Sequence, residues 1–167
     1  MVVMIKIQKA ETRNIAELMP LIAAYWEFEA LAGFDPRRLA APLERLLSDP
    51  KLGAGWMAWQ DGVAVGYVLA VYVFSLEHHG LTAEIDELFV LPKWRQSGAG
   101  SELLRVAESE CERMGCTNIS LQLGRENAAA RRFYHRLGFR ERAGFELLDK
   151  DLRDHAHGPT SPPIFDL

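Results

Sequence analysis

The feature that most constrains this chain is a β-type run that stops at a proline, crosses a glycine-bearing loop and enters a long amphipathic helix. Ala83 to Leu91 reads as a strand closed by Pro92. The loop is Trp94-Arg95-Gln96-Ser97-Gly98-Ala99-Gly100-Ser101. From Gly98 to Met114 the pattern is helical, with Leu103, Leu104, Ala107, Cys111 and Met114 on one face, and Gly115 is placed to end it. A chain built around such a unit must combine a sheet with helices packed on it.

The remaining segments agree. Val2 to Ile7 reads as a first strand, and Asn14 to Ala32 as a helix with Ile15, Leu18, Leu21, Ile22, Tyr25 and Phe28 on one side and a kink or break expected at Pro20. Asp35-Pro36 opens a second helix, with Asp as cap and Pro in the first position, running to about Leu47. Gly55 to Gln60 and Val63 to Phe74 are strands joined by an Asp61-Gly62 hairpin turn. Asn118 to Leu123 is a fifth strand, and Asn127 caps a helix that Gly138 stops after Leu137. Phe139 to Leu152 has room for two closing strands, and from Asp154 the composition shifts to His, Gly, Pro and Ser. The expected organisation is one α/β (α+β) domain over residues 1–153 and a tail over 154–167 whose Ile164-Phe165 could dock on the body or on a partner.

Composition narrows the function classes. At 167 residues, 49% hydrophobic and 25% charged, the chain matches an ordinary globular domain and excludes a disordered tail, a collagen-like repeat or a disulfide scaffold. Nineteen basic against 23 acidic residues give a net charge of −4, which argues against a general nucleic-acid binder. No run reaches the roughly 18 apolar residues of a membrane span. Met1 to Ala10 lacks the apolar core and cleavage site of a signal peptide, so a cytoplasmic protein is expected. Cys111 and Cys116 form neither a redox pair nor a zinc site, and Cys111 is expected as a buried free thiol. His78, His79, His155 and His157 lack companion ligands, so no metal is expected.

The glycine loop has a chemical reading of its own. Gly98 and Gly100 let the backbone come close to a ligand, the helix behind them offers unpaired N–H groups and the positive end of its dipole, and Arg95 adds a cation. Together these suit a phosphate or pyrophosphate. The loop has neither the Gly-Lys-Ser/Thr ending of a P-loop nor the three-glycine dinucleotide fingerprint. One strand further on stands Asn127-x-x-Ala130-x-x-Phe133-Tyr134-x-x-Leu137-Gly138-Phe139. Paired in this order, the two blocks resemble the GNAT superfamily of acyl-CoA-dependent N-acetyltransferases. The motifs cover Ile85 to Phe139, and the element order extends the likeness to almost the whole chain.

The resemblance implies a central, mixed, mostly antiparallel sheet flanked by helices, acetyl-CoA as cosubstrate, an amine as second substrate and a homodimer. It implies that Gln96, Ser97, Gly98, Ala99, Gly100 and Ser101 hold the pyrophosphate, with Arg95 at the mouth. Leu88, Phe89 and Val90 would pair with the pantetheine arm, and an N–H near Val90 would polarise the thioester carbonyl. Asn127, Ala130 and Phe133 would flank the arm, and Tyr134 would protonate or hold the leaving thiolate. Six arginines crowd positions 125 to 142 (Arg125, Arg131, Arg132, Arg136, Arg140, Arg142), and one or two of them, Arg136 among the candidates, would reach the adenosine phosphate. The usual glycine after Arg95 is replaced by Gln96, which leaves the backbone there less free.

An amine is mostly protonated at neutral pH and needs a base before it can attack. Glu84, Asp86 and Glu87 lie on the strand before the loop, where alternation puts Glu84 and Asp86 on one face and Glu87 on the other unless a bulge intervenes. Ile85-Asp86-Glu87-Leu88-Phe89-Val90 with Gly100-Ser101-Glu102-Leu103-Leu104 looks most like the diamine (spermidine/spermine) acetyltransferase branch. That likeness implies Asp86 or Glu87, ahead of Glu84, as the acid serving a polyamine-like substrate by direct attack in a ternary complex. Glu77, in the loop Ser75 to Gly80, could add to an acidic substrate mouth. A peptide or protein N-acetyltransferase, an aminoglycoside-type enzyme and a CoA-binding sensor without turnover stand as alternatives.

Overall fold

The computed structural model describes residues 4–152. Strands β1 (Lys6–Lys9), β2 (Gly53–Gln60), β3 (Val63–Ser75), β4 (Gly80–Val90) and β5 (Ile119–Leu121) form one sheet in that order. All neighbours are antiparallel except β4 and β5, which are parallel. Helices α1 (Ile15–Phe28) and α2 (Pro36–Ser48) precede β2, α3 (Ala99–Arg113) connects β4 to β5, and α4 (Ala128–Arg136) follows β5.

Local chemistry explains most of these boundaries. Asp35 caps α2 by accepting the N–H of Arg37 at 3.0 Å, and Pro36 takes the first helical position. Asp61 and Gly62 both have positive φ (49° and 79°), as a tight two-residue hairpin turn requires. α1 runs unbroken through Pro20, so the expected kink does not interrupt it. The proline removes one backbone bond, and Leu18, Leu21 and Ile22, all buried, hold the helix to the sheet on either side of it.

The sheet has a core on each face. On one, Leu103, Leu104, Ala107 and Cys111 of α3 pack against Trp56, Ala58, Val68, Ala70 and Ile85. On the other, α1 and α2 set Leu18, Leu21, Ile22 and Leu43 against Met57, Tyr67, Leu69 and Phe89. Cys111 is buried and free, its thiol pushed up to about 12 chiefly by burial. Met114, expected on the buried face, is 39% exposed because the helix has already ended at Arg113.

Two expectations fail. No strand forms between Phe139 and Leu152 among the described residues. Phe145, Leu147 and Leu148 stand exposed there, and Arg142 instead ties the segment to Glu77 at 2.6 Å and lies over the Phe145 ring at 4.2 Å. The first strand, expected over Val2 to Ile7, is found at Lys6–Lys9; Met4 and Ile5 are not part of it, and Val2 and Val3 lie outside the described residues. The tail 154–167, with His155, His157 and Ile164-Phe165, lies outside the described residues.

Gly66 shows how tightly the sheet is set beside the loop. It faces Val90, and a Cβ there would lie 2.7 Å from the carbonyl oxygen of Phe89 and 3.0 Å from a Val90 methyl. Gly66→Ala must push β3 and β4 apart, at a cost of roughly 1–3 kcal/mol by the ordinary scale for overpacking. Thermal denaturation reads that loss, and a variant as stable as the parent would show that the two strands have slack.

Candidate functional site

A cleft of about 720 Å³ opens where β4 and β5 part. Their pairing covers only Ala83 to Ile85 against Ile119 to Leu121. Beyond it, β4 continues to Val90 with no strand beside it on that edge among the described residues. The register with β3 shifts here too, since Leu69 faces Glu87 while Ala70 faces Ile85. Asp86 is therefore the extra residue of a bulge, which alters the simple alternation of Glu84, Asp86 and Glu87.

The backbone beyond the bulge is aimed by the antiparallel ladder. The N–H of Leu91 bonds the carbonyl of Val65 at 2.9 Å. Antiparallel alternation then turns Leu91 and Phe89 toward β3, and the N–H and C=O of Val90 toward the cleft. Across from this edge stand Leu121 to Gly124 and Asn127. Asn127 caps α4 by accepting the N–H of Ala130 at 3.1 Å.

The glycine loop closes one end. Gly98, with φ of 91°, is the N-cap of α3. A Cβ on Gly100 would meet nothing closer than Phe133 at 3.5 Å, an ordinary contact, so protein packing does not demand glycine there. The space serves whatever lies against the helix end. Gln96 has φ of 63°, the left-handed conformation that glycine adopts freely. Gln96, Gly98, Gly100 and Ser101 line the cleft, together with Arg132 and Arg136 of α4. Arg131 and Arg140 are engaged elsewhere, by Glu141 and by the carbonyls of His135 and Phe139.

The expected site residues divide clearly. Asp86, Leu88, Phe89, Val90, Arg95, Ala130, Phe133 and Tyr134 line the cleft. Ser97 does not; its hydroxyl donates to the Trp94 carbonyl at 2.6 Å and stiffens the loop. Ala99 is buried against the core. Glu84 accepts from Gln122 at 2.8 Å. Glu87 is turned under α1, accepting from the Tyr67 hydroxyl at 2.6 Å and the Trp26 indole at 3.3 Å. Glu77 is held by Arg142, away from the cleft.

Electrostatics separate the acids further. The cleft walls shield the Asp86 carboxyl although part of the residue is open at the surface; this desolvation, followed by repulsion from Glu84, raises its pKa. Burial also raises Glu87, against the opposing pull of the Tyr67 and Trp26 hydrogen bonds. Burial, followed by the charges of nearby Tyr25 and Glu29, pushes the Tyr134 hydroxyl up to about 12. Its ring packs edge-on to Phe133 and Phe139, and its hydroxyl has no hydrogen-bond partner among the described residues.

Sequence reasoning missed one wall. Tyr25, Phe28 and Glu29, at the end of α1, all line the cleft. Tyr25 and Phe28 have the helical spacing of core residues, and only the place where α1 crosses β4 distinguishes them. No group of three or more potential metal-ligating side chains occurs among the described residues.

A strand edge left open beside a glycine-capped helix, with a tyrosine and a carboxylate in the same cleft, defines an acyl-transfer type of site. The Acetyltransferase (GNAT) family profile matches residues 15–139, and the chain belongs to that family. It is 30% identical over 139 residues to the uncharacterized N-acetyltransferase YhfO of Bacillus subtilis (strain 168), covering 83% of this chain and 92% of that protein. It is 35% identical over 85 residues to the aminoalkylphosphonate N-acetyltransferase of Salmonella typhimurium (strain LT2), covering 51% of this chain and 55% of the relative. Its fold matches the structure of the aminoglycoside N-acetyltransferase AAC(6')-Iy in complex with CoA, with a TM-score of 0.77 and 21% identity over 89% of this chain and 95% of that one. The protein is an acetyl-CoA-dependent N-acetyltransferase.

Gln96 supplies a direct test of the loop. Left-handed backbone costs a non-glycine residue about 1–2 kcal/mol, and glycine returns roughly 0.5–1 kcal/mol of that as unfolded-state entropy. Gln96→Gly is therefore expected to stabilise the protein by up to about 1 kcal/mol, or roughly 2–4 °C in Tm for a chain of this size. A fall in Tm would mean that the Gln96 side chain is held by contacts worth more than the strain.

Proposed function

We propose that the protein acetylates a primary amine of a small cationic acceptor, polyamine-like in charge, by direct attack within the cleft. The observation that carries the reading is the shared opening of Asp86, the inward-pointing Val90 N–H and the unpartnered Tyr134 hydroxyl. The carboxylates of Asp86 and Glu29 make the acceptor end negative, which favours an ammonium substrate.

The cradle fits acetyl-CoA. The α3 N-terminus with Gly98 and Gly100, and the arginines Arg132 and Arg136, suit its phosphates. The open edge of β4 at Leu88 to Val90 and Asn127 across from it suit the pantetheine amides. When bound, acetyl-CoA supplies an activated acetyl thioester. Asp86 removes the proton that keeps the acceptor nitrogen from attacking. The Val90 N–H offers a hydrogen bond to the oxygen on which negative charge develops. Tyr134, with its pKa near 12, stays protonated at neutral pH and is the donor for the departing sulfur. Glu87, committed to Tyr67 and Trp26, anchors α1 to β4 in this reading.

Three measurements test these roles. With acetyl-CoA and a panel of polyamines, aminoglycosides, aminoalkylphosphonates and peptides, thiol release is expected to be fastest with the small polycations. Release with peptides alone would replace the acceptor class, and cofactor binding without release on any acceptor would favour a sensor.

Tyr134→Phe is expected to lower kcat by roughly 10- to 1000-fold with little change in acetyl-CoA binding, within the range of general-acid effects. An unchanged kcat with a good acceptor would remove the tyrosine from the mechanism.

Asp86→Asn is expected to lower kcat/KM by about 10²–10⁴-fold and abolish the acid limb of the pH profile. The same variant carries a stability signature. A carboxyl with a raised folded pKa gives stability that is complete below its ordinary range and is lost as pH climbs through the folded value. Asp86→Asn should thus raise Tm at neutral pH, and the gain should vanish in acid. A Tm difference independent of pH would show that the raised carboxyl is not Asp86.

A further inference from the structure

Arg95 stands near the start of the glycine loop, where a cation at the mouth of a phosphate site would be expected to reach outward. Its side chain does something else. Nε donates to the Val90 carbonyl at 3.1 Å, so it caps one of the two backbone groups that point into the cleft. Its guanidinium carbon lies 4.4 Å from the centre of the Phe28 ring and 5.6 Å from that of Phe89. Phe89 is buried in the core beneath α1, whereas Phe28, the last residue of that helix, is 52% exposed. The two rings are 6.0 Å apart and tilted, and the guanidinium attends to both. The loop that starts at Arg95 is thereby joined to the helix end that carries Tyr25, Phe28 and Glu29, the acceptor wall.

We infer that Arg95 is a positioning residue for the acceptor, acting through Phe28, rather than a ligand for the cofactor phosphates. The planar guanidinium makes one hydrogen bond with Nε while it lies over the ring, which a lysine cannot do. The backbone of the last turn is closed by the N–H groups of Glu29, Ala30 and Leu31, which bond the carbonyls of Tyr25, Glu27 and Trp26, so what Arg95 holds is the exposed Phe28 ring, which otherwise rests on Phe89. With Arg95 over it, Phe28 becomes a fixed wall, and the conformation of the glycine loop determines where that wall stands. Arg132 and Arg136 are left to meet the phosphates. The inference rests on the proposed N-acetylation of an amine in this cleft, and it is tested both with and without turnover.

The test uses Arg95→Lys, Phe28→Leu, their double variant and Phe28→Tyr. Lysine preserves the charge but loses the Nε bond and the flat face; leucine preserves apolar bulk but loses the ring; tyrosine restores the ring. Arg95→Lys and Phe28→Leu are each expected to raise the acceptor KM by roughly 10-fold, the scale of a lost cation–π contact. Calorimetry with CoA alone should give a Kd within about twofold of the parent, since Arg95 is engaged by Val90 and Phe28 and does not serve the phosphates, whereas a phosphate ligand would lose its bidentate geometry on change to lysine. The double variant should be no worse than either single one, as two members of one contact are not additive. Phe28→Tyr should restore the acceptor KM. Hydrogen exchange over residues 25–31 supplies the readout without turnover: both single variants should lose protection there and the tyrosine variant should regain it.

A weaker Kd for CoA in Arg95→Lys with unchanged acceptor KM would overturn the inference and make Arg95 a phosphate ligand. Additive effects in the double variant, or unchanged exchange at the end of α1, would overturn it as well. If no amine is turned over by the parent protein, the proposed function fails. The exchange experiment still decides whether Arg95 holds α1.

Discussion

Everything at the active end of this protein depends on hydrogen bonds that β4 and β5 do not make. A parallel pair that continued along β4 would bury the backbone of Leu88 to Val90 in a ladder, and the sheet would be a closed structural layer. The pairing instead stops after Ile85, at the bulge formed by Asp86. Backbone donors and acceptors left without partners in a protein interior are costly. Here they face the cleft, where Arg95 takes the Val90 carbonyl and the other groups are open to a ligand with amide groups of its own. The open edge is thus a surface whose geometry is fixed by the rest of the sheet.

The bulge also decides which acid can act. In an uninterrupted strand, Glu84 and Asp86 would share a face. The extra residue lets Glu87 turn under α1, where Tyr67 and Trp26 satisfy its carboxylate, and leaves Asp86 at the cleft. Two adjacent carboxylates are therefore put to different uses by one backbone irregularity. The cost is visible in both groups, since burial raises the pKa of each and their mutual repulsion adds to that of Glu87. A strand with a purely structural role has no use for this unfavourable charge, whereas a cleft acting as proposed, on an ammonium acceptor, does.

How much of this could be read from the amino acids follows from the range of the interactions. The Asp35 and Asn127 caps, the Asp61-Gly62 turn and the apolar stripe of α3 from Leu103 to Cys111 depend on neighbours within a few residues, and all appear as expected. The glycine loop was legible for the same reason, down to the awkwardness of Gln96, which takes a φ of 63°. Tyr25 and Phe28 were not recognisable as cleft residues, because their helical spacing is the same for a core and for a wall. The pairing of Glu77 with Arg142 spans 65 positions and leaves no trace in either local pattern. The residues after Phe139 contain enough apolar side chains for strands, but β5 is only three residues long and offers them little edge to extend.

The same distinction bears on the two substrate ends. The phosphate end of the proposed site is assembled mainly from contiguous chain, the loop and the helix it caps, with Arg132 and Arg136 of α4 added to it. The acceptor end is assembled from distant pieces, with Asp86 from a strand, and Tyr25, Phe28 and Glu29 from a helix some sixty residues earlier. A contiguous site keeps its geometry as long as its own loop and helix fold. A composite site keeps its geometry only if something connects the pieces, and α1 touches this part of β4 through few residues. Glu87 reaches up to Trp26 from below, and Arg95 reaches across to Phe28 from the loop. Between them these two charged side chains fix the helix end at the inner and outer rim of the cleft. In the proposed reading, acceptor selectivity depends as much on residues that hold α1 in place as on those that face the amine.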